Sequence, residues 1–197
     1  MMNENYAQPD LRAASELAII RGCYLFNSYS RPSDKASGDE TRTKTGLEVT
    51  LLGSGAILLE VIKAAELLAA QGIAATVFSV TSLSELARDG AQCQQRALAS
   101  GYADPVAQPE RPSAQPDTPF IATQLQAGSG PIIAATDYVR AVPESIRAFV
   151  PAGRSYLTLG TDGFGRSDTR AALRQFFGVD AQAIVRAALH QLQMPAR

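Results

Sequence analysis

Residues 47–80, LEVTLLGSGAILLEVIKAAELLAAQGIAATVFSV, decide the fold because their hydrophobic pattern changes its period twice. The stretch begins with LEVTLL at 47–52 and ends with AATVFSV at 74–80, and both runs are typical of short buried strands. Between them, residues 56–71 carry apolar side chains at helical spacing. A strand, a helix and a second strand in this order predict two parallel strands joined by a right-handed crossover.

The same alternation continues toward the C-terminus. Ser82 and Glu85 have the spacing of a capping box and predict a helix that runs to about residue 97. Strands separated by helices indicate the α/β class, here a three-layer structure with a mostly parallel sheet of about five strands and helices on both faces. The remaining predicted elements are strands at 131–135 (PIIAA) and 155–159 (SYLTL) and helices at about 168–177 and 181–193.

Two polar segments divide this pattern. Residues 28–46 contain no Leu, Ile, Val or Phe, so we expect a flexible surface loop there. Residues 104–119 hold five of the 11 prolines and predict an insertion without helix or central strand. A helix packed against the sheet is predicted within residues 11–25. The predicted organisation is therefore a linker and tail of a preceding domain at 1–46 and an α/β domain at 47–197.

The composition excludes several function classes. The chain is 46% hydrophobic and 19% charged, which is typical of a globular protein. The 18 Lys and Arg residues nearly balance the 19 Asp and Glu residues, and no stretch is strongly basic, so nucleic acid is not an expected partner. No apolar run approaches the roughly 20 residues that cross a bilayer, and the N-terminus lacks the features of a signal peptide. We expect a cytoplasmic protein without a membrane partner.

Few residues are suited to catalysis. His190 is the single histidine, and Cys23 and Cys93 are too few for a disulfide scaffold or a zinc site. The G-x-S-x-G motif of a serine nucleophile does not occur. We therefore predict no catalytic residue, no cofactor-binding residue and no metal ligand in this chain.

The turn Gly53-Ser54-Gly55 is the first candidate binding site. It leads from a predicted strand into a predicted helix, whose first N–H groups favour an anion. A dinucleotide fingerprint would need a third glycine where Leu58 stands, and no G-x-x-x-x-G-K-[ST] motif occurs. Two interpretations stay open: the turn binds an anion or a nucleotide, or its glycines serve only to make a tight turn.

The second candidate is the loop LGTDGFGRSD at residues 159–168. Two glycines leave the ring of Phe164 on a flexible backbone, and an exposed aromatic ring is costly unless something packs on it. We expect either a contact surface for a partner or a loop in which Phe164 tucks back onto its own domain. The candidate interface residues are Asp162, Gly163, Phe164, Gly165, Arg166 and Ser167.

Four segments of the chain resemble a known family. They are VTLLGSGAIL at 49–58, VFSVTSLSELARDGAQC at 77–93, AATDYVRAVPESIRAFVP at 134–151 and YLTLGTDGFGRSDTRAALRQFFGVDA at 156–181. Together they resemble the C-terminal domain of the homodimeric, thiamine diphosphate-dependent pyruvate dehydrogenases, which is similar in fold to the C-terminal domain of transketolase. The resemblance extends over residues 2 to about 192.

The resemblance implies a segment of a larger enzyme that decarboxylates pyruvate and passes the acetyl group to the lipoyl group of dihydrolipoyl acetyltransferase. In that family, earlier domains hold thiamine diphosphate with Mg²⁺ and supply the catalytic residues. This segment would then be a structural and assembly domain, inactive alone, whose partners are the remaining domains of its own enzyme and the homodimer mate. The loop at 28–46, the insertion at 104–119 and the opening helix depart from the family pattern. The alternative is an independent anion- or nucleotide-binding module that uses Gly53-Ser54-Gly55.

Overall fold

Five strands form one sheet in the order β1-β3-β2-β4-β5 in the computed structural model, which describes residues 15–30, 46–101 and 118–193. The strand β2 pairs in parallel with both β3 and β4, and β4 pairs in parallel with β5, whereas β1 runs antiparallel to β3. This confirms the predicted α/β class and the mostly parallel sheet. The strands are β1 (Cys23–Tyr29), β2 (Glu48–Ser54), β3 (Ala74–Val80), β4 (Ile132–Ala135) and β5 (Tyr156–Leu159).

Helices cover both faces of the sheet, as predicted for a three-layer structure. The side chains of β2 alternate between two cores: Leu51 packs with α2 and α7 on one face, and Leu52 packs with α3 and α4 on the other.

None of the helices in the described ranges is long and apolar enough to cross a membrane. The helices are α1 (Ser15–Ile20), α2 (Leu58–Ala70), α3 (Leu83–Gly101), α4 (Phe120–Leu125), α5 (Ala141–Glu144), α6 (Arg170–Phe177) and α7 (Ala181–Gln193), with short 3₁₀ turns at Gly55–Ile57 and Arg147–Phe149.

The helix ends follow the capping signals in the sequence. The backbone N–H of Glu85 donates to Ser82 Oγ over 3.2 Å, which confirms the predicted start of α3. The N–H of Ala183 donates to Asp180 Oδ1 over 2.8 Å at the start of α7. The helix α6 ends at Gly178, which adopts a left-handed conformation with φ 67°.

The prediction of a helix within residues 11–25 is wrong over its last part. The helix α1 ends before Gly22, which has φ 100°, and the next residues form strand β1. Gly22 packs so closely that a Cβ there would lie 2.5 Å from the carbonyl oxygen of Ser82, and its own carbonyl accepts hydrogen bonds from the N–H groups of Thr81 and Ser82. This turn brings Cys23 opposite Val80, so the chain joins the sheet as an edge strand.

The α/β domain therefore begins before its predicted start at position 47, because the sheet includes the strand β1. Ser28 and Tyr29 of the predicted loop 28–46 belong to β1, while residues 31–45 lie outside the described residues. Of the predicted insertion 104–119, only Thr118 and Pro119 are described, and Pro119 immediately precedes α4, a helix that the sequence analysis did not predict.

Candidate functional site

The carboxyl ends of three neighbouring strands surround a cavity of about 270 Å³. The turn after β2, the segment after β4 and the loop after β5 meet there, and α6 forms the opposite wall. In an open α/β sheet this edge is where binding surfaces usually lie. The apolar part of the lining consists of Ile57, Leu173, Phe177 and Val179, and the charged part includes Asp137, Arg166, Arg170 and Arg174.

The base of the loop after β5 is fixed to the segment after β4. The N–H of Thr161 donates to the carbonyl of Tyr138 over 2.9 Å, and Thr161 Oγ1 donates to the carbonyl of Asp137 over 2.7 Å. The carboxylate of Asp162 accepts the backbone N–H of Arg140 over 2.8 Å and forms an ion pair with the same residue's guanidinium. These contacts hold the pKa of Asp162 below its ordinary value, first through the backbone N–H and then through the guanidinium.

The tip of the loop projects away from the domain. Gly163 has φ 96°, and a Cβ at either Gly163 or Gly165 would meet no heavy atom within 4 Å. Between them, Phe164 is 96% exposed. The alternative in which Phe164 tucks back onto its own domain therefore does not describe the structure. A contact surface at Asp162–Ser167 is the interpretation that remains, and it stays a prediction.

Charged residues of the loop flank this aromatic tip. The guanidinium of Arg166 lies over the ring of Phe176, 4.1 Å from its centroid, and Phe176 is itself 58% exposed. Asp168 accepts the N–H of Thr169 over 2.7 Å. Within the described ranges, neither Arg166 nor Asp168 forms an ion pair. The surface around Phe164 thus presents two aromatic rings and two charges of opposite sign.

The turn Gly53-Ser54-Gly55 borders the same cavity and lies beside the carboxylate of Asp137. Gly53 and Ser54 are the last residues of β2, and Gly55, with φ 59°, starts the 3₁₀ turn that leads into α2. A Cβ on Gly53 would lie 2.8 Å from the Leu58 side chain, and one on Gly55 would lie 2.8 Å from Asp137 Oδ1. The glycines permit close strand-to-helix packing, and the negative charge of Asp137 disfavours an anion at this turn.

A buried carboxylate that sequence reasoning missed holds the wall of the cavity in place. Glu60 on α2 is only 7% exposed and accepts hydrogen bonds from Lys63 Nζ (3.0 Å), Arg174 (3.0 Å) and the N–H of Ala181 (3.1 Å). Burial alone would raise the pKa of Glu60. The hydrogen bonds and positive charges of these partners together outweigh that effect, so the pKa lies below its ordinary value. Glu60 therefore ties α6 and α7 to α2. The spacing of residues 56–71 predicts the helix, but no sequence signal indicates the partners of Glu60.

The described residues form no carboxylate cluster of the kind that would hold a metal ion by protein ligands alone. Within 15–30, 46–101 and 118–193, no three His, Cys, Asp or Glu side chains come together as a metal site. The carboxylate of Asp137 lies beside the glycine turn and disfavours an anion at the turn itself, whereas Arg166, Arg170 and Arg174 line the same cavity. His190 lies on α7, outside the residues that line the cavity.

Comparison with known proteins identifies the family. The family described as Transketolase-like TK C-terminal domain matches residues 39–180. The pyruvate dehydrogenase E1 component of Cupriavidus necator is 41% identical over 193 residues, which are 98% of this chain and 19% of that protein. The corresponding E1 component of Escherichia coli K12 is 39% identical over 192 residues, 97% of this chain and 19% of that protein.

A solved structure supports the fold. Transketolase from Leishmania mexicana superposes with a TM-score of 0.50 at 19% sequence identity, over 94% of this chain and 21% of that one. This chain spans about one fifth of the length of the curated relatives that it matches. The predicted resemblance is thus confirmed, and the chain belongs to the transketolase-like C-terminal domain family.

Proposed function

We propose that this chain is the C-terminal structural and assembly domain of a pyruvate dehydrogenase E1 component. The observation that carries the proposal is the 41% identity over 98% of the chain to one fifth of such a protein. The parent enzyme would decarboxylate pyruvate on thiamine diphosphate and transfer the acetyl group to the lipoyl group of dihydrolipoyl acetyltransferase. Its cofactor and Mg²⁺ would be held by domains outside this segment, and its location would be cytoplasmic.

The contribution of this segment would be to position the rest of its enzyme. The loop base is fixed by Thr161 and Asp162, while Phe164 at the tip is 96% exposed. A rigid base with an exposed aromatic residue is typical of a contact point, since aromatic anchors carry much of the binding energy at interfaces. The remaining domains of the enzyme and the homodimer mate are the partners that we propose for this surface.

The alternative, an independent anion- or nucleotide-binding module, has no support from the comparisons. The Gly53-Ser54-Gly55 turn has the carboxylate of Asp137 beside it, which counts against an anionic ligand. No observation favours this second function over a structural domain.

A hybrid enzyme tests the proposal. In the Escherichia coli E1 component, the C-terminal fifth that aligns with this chain would be replaced by residues 1–197. We expect the hybrid to show pyruvate-dependent activity well above that of the same enzyme truncated before the replaced fifth. The intact Escherichia coli enzyme is the positive control. A folded hybrid that is no more active than the truncated enzyme would contradict the proposal.

A further inference from the structure

The cavity at the carboxyl ends of β2, β4 and β5 is a concavity of the kind that binds small molecules. Its apolar lining combines the buried side chains of Ile57 and Val179 with the half-buried side chains of Leu173 and Phe177. Phe164, the exposed tip of the neighbouring loop, is not among the lining residues. Binding sites for small molecules are mostly apolar and carry a few polar groups that fix the orientation of the ligand.

The cavity is large enough for a phenyl group that carries a short polar head group. Its volume is about 270 Å³, whereas an apolar cavity of about 150 Å³ already binds benzene. The remaining volume is available to the atoms that carry the charges of a ligand. The ring of Phe177 in the lining offers an aromatic contact to the apolar part.

Charges of both signs border this cavity and do not compensate each other. Asp137 follows β4, Arg166 belongs to the loop after β5, and both are exposed where they line the cavity. Within the described ranges, neither charged group forms an ion pair, so the two are also too far apart to pair with each other. The charged groups of a ligand can therefore lie between them.

The guanidinium of Arg166 is held in a position suited to a carboxylate. It lies over the ring of Phe176, 4.1 Å from the ring centroid. Stacking uses the face of the planar guanidinium, while its N–H groups point outward in that plane and can donate two hydrogen bonds to one carboxylate. A side chain that is already held in place loses less conformational freedom when a ligand binds.

The combination of charges selects among ligands. The other charged residues of the lining are Arg170 and Arg174, and Arg174 is already paired with Glu60 at 3.0 Å. The arginines repel a simple cation, and the carboxylate of Asp137 weakens the binding of a simple anion. A zwitterion satisfies both sides, because its ammonium group lies near Asp137 and its carboxylate lies near Arg166.

We propose that this cavity binds an apolar α-amino acid as its zwitterion. The carboxylate of Asp137 accepts hydrogen bonds from the ammonium group, and the guanidinium of Arg166 donates to the carboxylate of the ligand. The apolar side chain of the ligand packs against Ile57, Leu173 and Phe177. This inference rests on the cavity alone and does not depend on the proposed enzyme.

Isothermal titration calorimetry of the purified full chain with a matched set of probes tests the inference. L-Phenylalanine carries every feature of the proposed ligand. Hydrocinnamate lacks the ammonium group, phenethylamine lacks the carboxylate, and glycine lacks the apolar side chain. We expect saturable binding of L-phenylalanine and binding of each other probe that is weaker by about tenfold or more, because each leaves one part of the cavity without its partner.

Isosteric variants assign the two charges. Asp137→Asn should weaken the binding of L-phenylalanine about tenfold but strengthen that of hydrocinnamate, since a repelling carboxylate is removed. Arg166→Gln should weaken the binding of L-phenylalanine similarly but strengthen that of phenethylamine. Glu66→Gln on α2 and Arg186→Gln on α7 are the matched controls, because both residues are exposed and lie outside the lining, and they should change no affinity. Circular dichroism establishes that each variant is folded.

The inference would be overturned by any of the following results. L-Phenylalanine shows no saturable binding up to about 10 mM, the other probes bind as tightly as L-phenylalanine, or Asp137→Asn and Arg166→Gln leave its affinity unchanged. The hybrid enzyme experiment uses neither these probes nor these variants, so a failure there and a failure here are distinguishable.

Discussion

At the level of single residues, Glu60 shows how the desolvation cost of a buried charge is offset by hydrogen-bond donors and cationic partners. Its carboxylate is 7% exposed but accepts three hydrogen bonds, from a lysine, an arginine and the first N–H of α7. Buried charges are tolerated when they are paired and hydrogen-bonded in this way. Because Arg174 and Ala181 lie more than 110 residues further along the chain, the pairing depends on tertiary structure and not on local pattern.

Replacement of this carboxylate tests its role. Glu60→Gln should lower the free energy of unfolding by roughly 2 kcal/mol at pH 7, because it removes the charged partner of Arg174 and Lys63. Glu66→Gln, on the exposed side of the same helix, is the matched control and should change stability little. Urea denaturation of the three proteins measures the difference.

The pH dependence of that difference has a definite sign. The pKa of Glu60 is lowered in the folded chain, so its contribution is present above its ordinary pKa of 4.5 and is lost as the pH falls through the folded value. The stability gap between wild type and Glu60→Gln should therefore shrink in acid below about pH 4.5. An equal gap at pH 7 and pH 3 would show that the charge of Glu60 contributes nothing.

At the level of elements, the sequence predicts the strands and helices whose own residues show a clear hydrophobic period and a signal at one end. Strands β2 to β5 and helices α2, α3, α6 and α7 appear close to their predicted positions, because each combines a clear hydrophobic period with a cap or a glycine. The sequence does not predict the strand β1, because it lies directly after a helical pattern and only Cys23 among its seven residues is buried, although the strand pairs with β3 from Cys23 to Tyr29. The sequence does not predict the exposed position of Phe164, because no local pattern indicates whether a loop side chain turns inward.

Gly90 within α3 illustrates how an element's packing overrides its propensity. Asp89 and Gly90 lie inside the helix, where Asp89 pairs with Arg21 over 3.1 Å and accepts the N–H of Phe120 over 2.7 Å. A Cβ on Gly90 would lie 2.3 Å from the ring of Phe149. The absence of a side chain there allows α3 to pack against the 3₁₀ turn Arg147–Phe149.

Gly90→Ala should consequently destabilise the domain, although alanine favours a helix by about 1 kcal/mol over glycine. We expect a net loss of roughly 1–3 kcal/mol, because the new methyl group overlaps a ring in the core. Gln95→Ala, on the exposed side of α3, should stay within about 0.5 kcal/mol of wild type. Thermal unfolding followed by circular dichroism compares them, and a more stable Gly90→Ala variant would show that the ring moves aside freely.

For the whole molecule, the features that we propose to form a contact surface lie together at one edge of the sheet. The fixed loop base, the exposed Phe164 and the cavity lie together at the carboxyl ends of the parallel strands. Within the described ranges no three potential metal ligands come together, and we propose the exposed loop at this edge as a contact surface. The family match shows a transketolase-like C-terminal domain, and we propose that this domain supports a larger enzyme.

The most direct test of this account is pyruvate decarboxylation by the purified chain in the presence of thiamine diphosphate and Mg²⁺. An intact pyruvate dehydrogenase E1 component serves as the positive control for release of CO₂. We predict no saturable binding of thiamine diphosphate in a calorimetric titration and no CO₂ release above the protein-free blank. Turnover of pyruvate by this chain alone would contradict the central claim that it is a structural domain whose chemistry resides elsewhere.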